Sequence, residues 1–149
     1  MPQSLSNIII HLIFSTKERR ALLDDSWRPN LHQYITGILR SYKAPLLRIN
    51  SVSDHIHIAF QLPRTENTSH LVKEIKVGSS IWIKQRQNQQ LFQWQQGYGA
   101  FSVSPNHVEG LIKYIDNQQI HHQKISFQDE FRHLLKRYHV DFDERYIWD

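Results

Sequence analysis

Two histidines one residue apart, His55 and His57, and a tyrosine followed four positions later by a glutamine, Tyr114 and Gln118, are the groups best suited to chemistry. In the run His55-Ile56-His57-Ile58-Ala59-Phe60, the two-residue period of a strand puts His55, His57 and Ala59 on one face. Ile56, Ile58 and Phe60 take the other. Imidazoles at that spacing have Cα atoms about 6.5 to 7 Å apart, close enough to converge on one cation. With ten histidines in the chain, one His-apolar-His triplet is unsurprising. The residues alone therefore leave two readings, paired metal ligands or half-buried histidines on a sheet surface. Tyr114 and Gln118, four apart on a helix, project from one face. Leu111, Ile112 and Ile115 supply the buried stripe of that helix and leave the pair on a flank. There the tyrosine is either an edge-of-core residue with a solvated hydroxyl or a nucleophile. His121 and His122, on the next turn, read as surface residues that a phosphate could meet.

These groups must be positioned by a scaffold, and 149 residues suffice for one domain with a substantial core. Hydrophobic residues are 40% and charged residues 21%, an ordinary balance for a globular chain. The absence of cysteine excludes disulfides and any thiolate metal site. A formal charge of +4 is compatible with a phosphate-rich partner without requiring one. The apolar stretch 7–14 is too short to span a membrane, contains His11 and precedes no small-residue cleavage site. It reads as a buried strand, and the expectation is a cytoplasmic protein.

The period of the apolar residues predicts a strand over 7–15, a helix over 29–43 and a pair of strands over 46–52 and 55–62. A helix over 69–88, a loop and strand over 97–104, a helix opened by Pro105 and a last helix over 127–138 follow. Gly78-Ser79-Ser80 in the second helix costs about 1 kcal/mol for the glycine, which close packing or a ligand would explain. The order predicts an α+β fold: a ferredoxin-like or RNA-recognition-like four-stranded antiparallel sheet, two crossover helices on one face, and extra C-terminal helices. The aromatic strand motifs of RNA-recognition domains are absent, because His55 and His57 stand where stacking rings would be expected.

Several segments, in order, resemble the single-tyrosine HUH transposases of bacterial insertion sequences (the 200/605 group, including the REP-associated type). They are residues 8–17 with Arg19-Arg20, Asp54-His55-Ile56-His57, Val72-Lys73, Gly78-Ser79-Ser80, 97–104 and Tyr114-Ile115-Asp116-Asn117-Gln118. The resemblance covers residues from about 8 to 122 and implies one domain over 1–149, with about 124–149 as an extension. It implies His55, His57 and Gln118 as ligands of Mg²⁺ or Mn²⁺, and Tyr114 as the nucleophile. The implied reaction cuts and rejoins single-stranded DNA through a 5′-phosphotyrosine link. The implied partners are hairpin-bearing element ends and a second copy of the chain. Lys17, Arg19, Arg20, Arg48, Lys73 and Lys76 are candidate phosphate contacts. Two other classes stand beside this one: a non-catalytic nucleic-acid-binding module, and a nickase of the same site that does not transpose.

Overall fold

The computed structural model describes residues 2–149. Strands β1 (Ile9–Ser15), β2 (Leu46–Ser51), β3 (His55–Gln61) and β4 (Gly99–Val103) form one sheet in the order β2-β3-β1-β4. Every pairing is antiparallel. Helices α1 (Arg28–Ser41) and α2 (Thr68–Arg86) make the crossovers, and α3 (Val108–Asp116), α4 (Gln118–His121) and α5 (Phe127–Arg137) follow β4. This is the expected ferredoxin-like α+β arrangement.

β1 is buried along its whole length because both of its faces are covered. Leu12 and Phe14 point to one side with Ile56, Ile58 and Phe60 of β3. Leu31, Ile35 and Leu39 of α1 and Leu71, Val72 and Ile75 of α2 pack on that side. Burying each such side chain contributes about 1.5–3 kcal/mol. Pro29 opens α1, and the Asn67 side chain caps α2 by accepting from the His70 amide at 2.9 Å. At Gly78 a Cβ would stand 2.8 Å from Cδ1 of Ile38, so the glycine serves close packing of α2 on α1. Next to it, Ser79 is buried and accepts a hydrogen bond from the Trp94 indole at 2.9 Å.

The opposite face carries His11, Ile13 and Ser15 of β1 beside His55 and His57 of β3, since residues paired across an antiparallel ladder share a face. α5 closes this side, with Phe127, Phe131, Leu134 and Leu135 forming a second core with Ile13 and Phe101. Gly99 is what lets α5 approach: a Cβ there would stand 2.7 Å from the Phe131 ring, 3.1 Å from Ile13 and 3.2 Å from Phe101. Ser126 caps α5 through the Asp129 amide at 3.2 Å.

One expectation is corrected. Tyr114 and Gln118 do not share a continuous helix: α3 stops at Asp116, and Gln118 opens the single turn of α4. The Asn50 side chain of β2 donates to the Ile115 carbonyl at 2.8 Å, and Gln119 donates to the Ser51 carbonyl at 3.3 Å. Strand β2 thus takes up carbonyls and side chains at the break. Among the described residues, no helix is long and apolar enough to cross a membrane.

Candidate active site

His55 and His57 project from the centre of the sheet into the layer beneath α3–α5, and both are fully buried. Each imidazole is held by its Nδ1. His55 Nδ1 lies 2.7 Å from an Asp54 carboxylate oxygen, and His57 Nδ1 lies 2.8 Å from Nε2 of His11. Both Nε2 atoms are therefore turned inward, the arrangement by which second partners orient metal-binding histidines.

What they meet is a carboxylate that the sequence did not point to. Glu130, in the first turn of α5, is only 2% exposed. Its Oε1 lies 3.1 Å from His57 Nε2, 3.4 Å from His55 Nε2 and 2.9 Å from His122 Nε2. His122, expected at the surface, is instead packed against His55, with 3.0 Å between their Nε2 atoms. Tyr114 donates its hydroxyl hydrogen bond to the other Glu130 oxygen, Oε2. Its ring is 5.6 Å from that of His57, centre to centre. Gln118 is fully buried, and its amide nitrogen donates to the Tyr114 carbonyl at 3.1 Å. Its Oε1 is buried with no hydrogen-bond partner, a cost of about 1–3 kcal/mol unless something meets it.

The electrostatics follow from burial. Desolvation holds His11 down at about 3 and His57 at about 4, so both rings are neutral near pH 7. Burial also works against a charge on His55, but hydrogen bonds to Asp54 and Glu130 outweigh it and raise that ring above its ordinary value. Glu130 is desolvated as well, yet hydrogen bonds from His122, His55 and His57 hold it well below the usual carboxylate range. Burial, then the Glu130 charge, push the Tyr114 phenol up.

The donor set fits a divalent cation. Two inward Nε2 atoms, a buried carboxylate and an unpartnered amide oxygen are the N and O ligands such an ion takes, and no thiolate competes. The Tyr114 hydroxyl stands beside them, against the same carboxylate.

The chain matches the family described as "Transposase IS200 like" over residues 4–118. It belongs to that family. No curated protein matches it. A candidate transposase of Deinococcus radiodurans R1 shares 22% identity and a TM-score of 0.59, covering 79% of this chain and 98% of its own. A REP-associated tyrosine transposase, solved bound to a REP hairpin, shares 15% identity and a TM-score of 0.63. That match covers 84% of this chain and 74% of the other. At these identities the likeness is one of fold.

Within this IS200-like transposase the candidate phosphate contacts are scattered. Lys17, Arg19 and Arg20 form a 3₁₀ turn and its exit just after β1, at the end of the sheet where Ser15 faces His55. Arg19 lies 5.6 Å over the Trp148 ring, and Arg20 pairs with Glu18 at 2.8 Å. Arg48 shares a sheet face with Ala59 and pairs with Asp116 at 3.2 Å. Lys73 is exposed on α2. Lys76 donates to the carbonyls of Gln95, Gln96 and Gly97 at 2.6 to 3.1 Å, and burial lowers its ammonium to about 8. α2 packs on the sheet face away from Tyr114, so the fold does not bring Lys73 and Lys76 to the histidines. Glu130 and His11 are not among the candidates the sequence offers, and His122, read there as a surface residue, lies in the group instead. His11 had a signal, a lone histidine in an otherwise apolar strand, whereas Glu130 had none, since its partners are distant in the chain.

Proposed function

We propose that the chain is an HUH-type transposase that cuts and rejoins single-stranded DNA through a covalent link to Tyr114. Its His55, His57 and Gln118 would hold a Mg²⁺ or Mn²⁺ ion. The observation that carries this reading is the meeting of Tyr114 with the His55–His57 pair around one carboxylate, in a chain of the transposase family. A bound divalent ion would polarise the scissile phosphate as a Lewis acid.

The chain's own groups do the rest. His11 and Asp54 fix the rings of His57 and His55, so neither ring need turn when the site fills. The Tyr114 oxygen attacks phosphorus and the bond from phosphorus to the 3′ oxygen breaks. This leaves a 5′-phosphotyrosine and a free 3′-hydroxyl. The phenolic proton leaves by way of Glu130 Oε2, which already accepts the Tyr114 hydroxyl, and ends on the departing 3′ oxygen. Because the ester conserves the energy of the broken phosphodiester, a 3′-hydroxyl can later attack it and rejoin the strand. The hairpin held by the REP-associated relative supports a hairpin-bearing strand as substrate here, with Lys17, Arg19, Arg20 and Arg48 as phosphate contacts. The groups proposed for the chemistry all come from one chain, whether or not two copies pair.

The test is incubation with end-labelled single-stranded DNA and Mn²⁺, followed by denaturing electrophoresis. A protein–DNA adduct should form, and Tyr114→Phe should abolish it while binding DNA as before. Cleavage with no covalent adduct, or an adduct retained by Tyr114→Phe, would reject the mechanism. DNA binding without cleavage under any metal condition would favour a non-catalytic module.

A further inference from the structure

The stretch matching the family ends at Gln118, yet α5 lies beyond it and drives a carboxylate into the histidine group. We infer that Glu130 is a protein ligand of the divalent ion, completing with His55 and His57 a two-histidine, one-carboxylate set. The C-terminal extension thereby becomes part of the metal site. This rests on the metal-dependent reading proposed above and adds a residue to it.

Geometry is the first support. Donor atoms bound to one ion at about 2.1 Å stand roughly 3 to 4 Å from one another. Glu130 Oε1 already lies 3.1 Å from His57 Nε2 and 3.4 Å from His55 Nε2. The ligand atoms of His55, His57, His122 and Glu130 all fall within 4.8 Å of one another. Ligand chemistry is the second. With His55, His57 and Gln118 alone the set is formally neutral, whereas Mg²⁺ and Mn²⁺ favour at least one anionic oxygen. Glu130 supplies it. Placement is the third. A carboxylate withdrawn from water to 2% exposure costs several kcal/mol unless its charge is met. The partners α5 brings it to are Nε2 atoms, already oriented inward by Asp54 and His11. The two carboxylate oxygens then have separate tasks. Oε1 faces the histidines, while Oε2 accepts the hydroxyl of Tyr114, so one side chain fixes the nucleophile relative to the ion.

Full-length protein titrated with Mn²⁺ by calorimetry, in wild type and Glu130→Gln, tests this, with near-UV circular dichroism confirming that each is folded. Wild type should bind one ion, and Glu130→Gln should bind it at least about tenfold more weakly. Unchanged or tighter binding by Glu130→Gln overturns the inference while leaving the metal-dependent reading standing. Failure of wild type to bind Mn²⁺ overturns both. A second measurement needs no variant. Anomalous scattering from Mn²⁺-loaded wild-type crystals should put the ion about 2.1 Å from a Glu130 oxygen and from both histidines. An ion held by His55, His57 and Gln118, with Glu130 turned away, overturns the inference.

Discussion

His57 can offer its Nε2 to the site because its other ring nitrogen is taken by His11, 2.8 Å away. Replacing His11 with alanine frees that ring to rotate without touching the inward-facing atoms. We expect Mn²⁺ affinity, measured by calorimetry, to fall about 10–100-fold with the fold intact. Unchanged affinity would mean that the ring is held by packing alone. A different histidine governs acid stability. His32 bonds the Ser51 hydroxyl at 2.7 Å, and burial, helped by the Arg28 charge, lowers it to about 4 from an ordinary 6.5. The native state therefore keeps this ring neutral while the unfolded chain binds a proton below pH 6.5. Its contribution is complete above 6.5 and shrinks as pH falls toward 4. His32→Gln should then be less stable than wild type in urea denaturation at pH 7, with the difference narrowing at pH 4. A difference independent of pH would contradict the assignment.

Elements were more legible than their meetings. The apolar period placed all four strands and the three long helices to within about two residues of where they lie, because each buries a regular face. The break between Tyr114 and Gln118 was not legible, because it is stabilised by Asn50 and Gln119 reaching across to or from β2 rather than by a local stop signal. The role of α5 was hidden for the same reason. Its amphipathic period showed that it packs, but Phe127 and Glu130 lie on neighbouring parts of one face, and only docking decides which reaches the histidines. That docking depends on Gly99. Gly99→Ala would drive a methyl into the ring of Phe131 with no room left by Ile13 or Phe101. We expect a loss of about 1–3 kcal/mol in chemical denaturation. If Glu130 is carried by this contact, Mn²⁺ affinity should fall in the same variant. Wild-type stability and affinity in Gly99→Ala would show that α5 docks otherwise.

At the scale of the whole molecule the sheet divides the protein into two layers with different work. α1 and α2 build a conventional core on one side, and the other side gathers His11, His55, His57, Tyr114, Gln118 and Glu130 from β1, β3, α3, α4 and α5. His55, His57 and Tyr114 were legible as residues, and their union was implied by family resemblance rather than by spacing. Because Tyr114 meets the histidines of its own chain, strand cleavage should occur in cis. A mixture of equal amounts of Tyr114→Phe and His57→Ala proteins should therefore recover no cleavage, whereas recovery toward about a quarter of wild-type activity, the share of intact sites in randomly mixed dimers, would show that partners exchange tyrosines. In the proposed reaction, Tyr114 is the residue that becomes joined to DNA. Peptide mapping by mass spectrometry of the adduct formed with a single-stranded oligonucleotide and Mn²⁺ tests it most directly. A 5′-phosphonucleotide should be found on the peptide containing Tyr114, and attachment to any other residue would contradict the proposed mechanism.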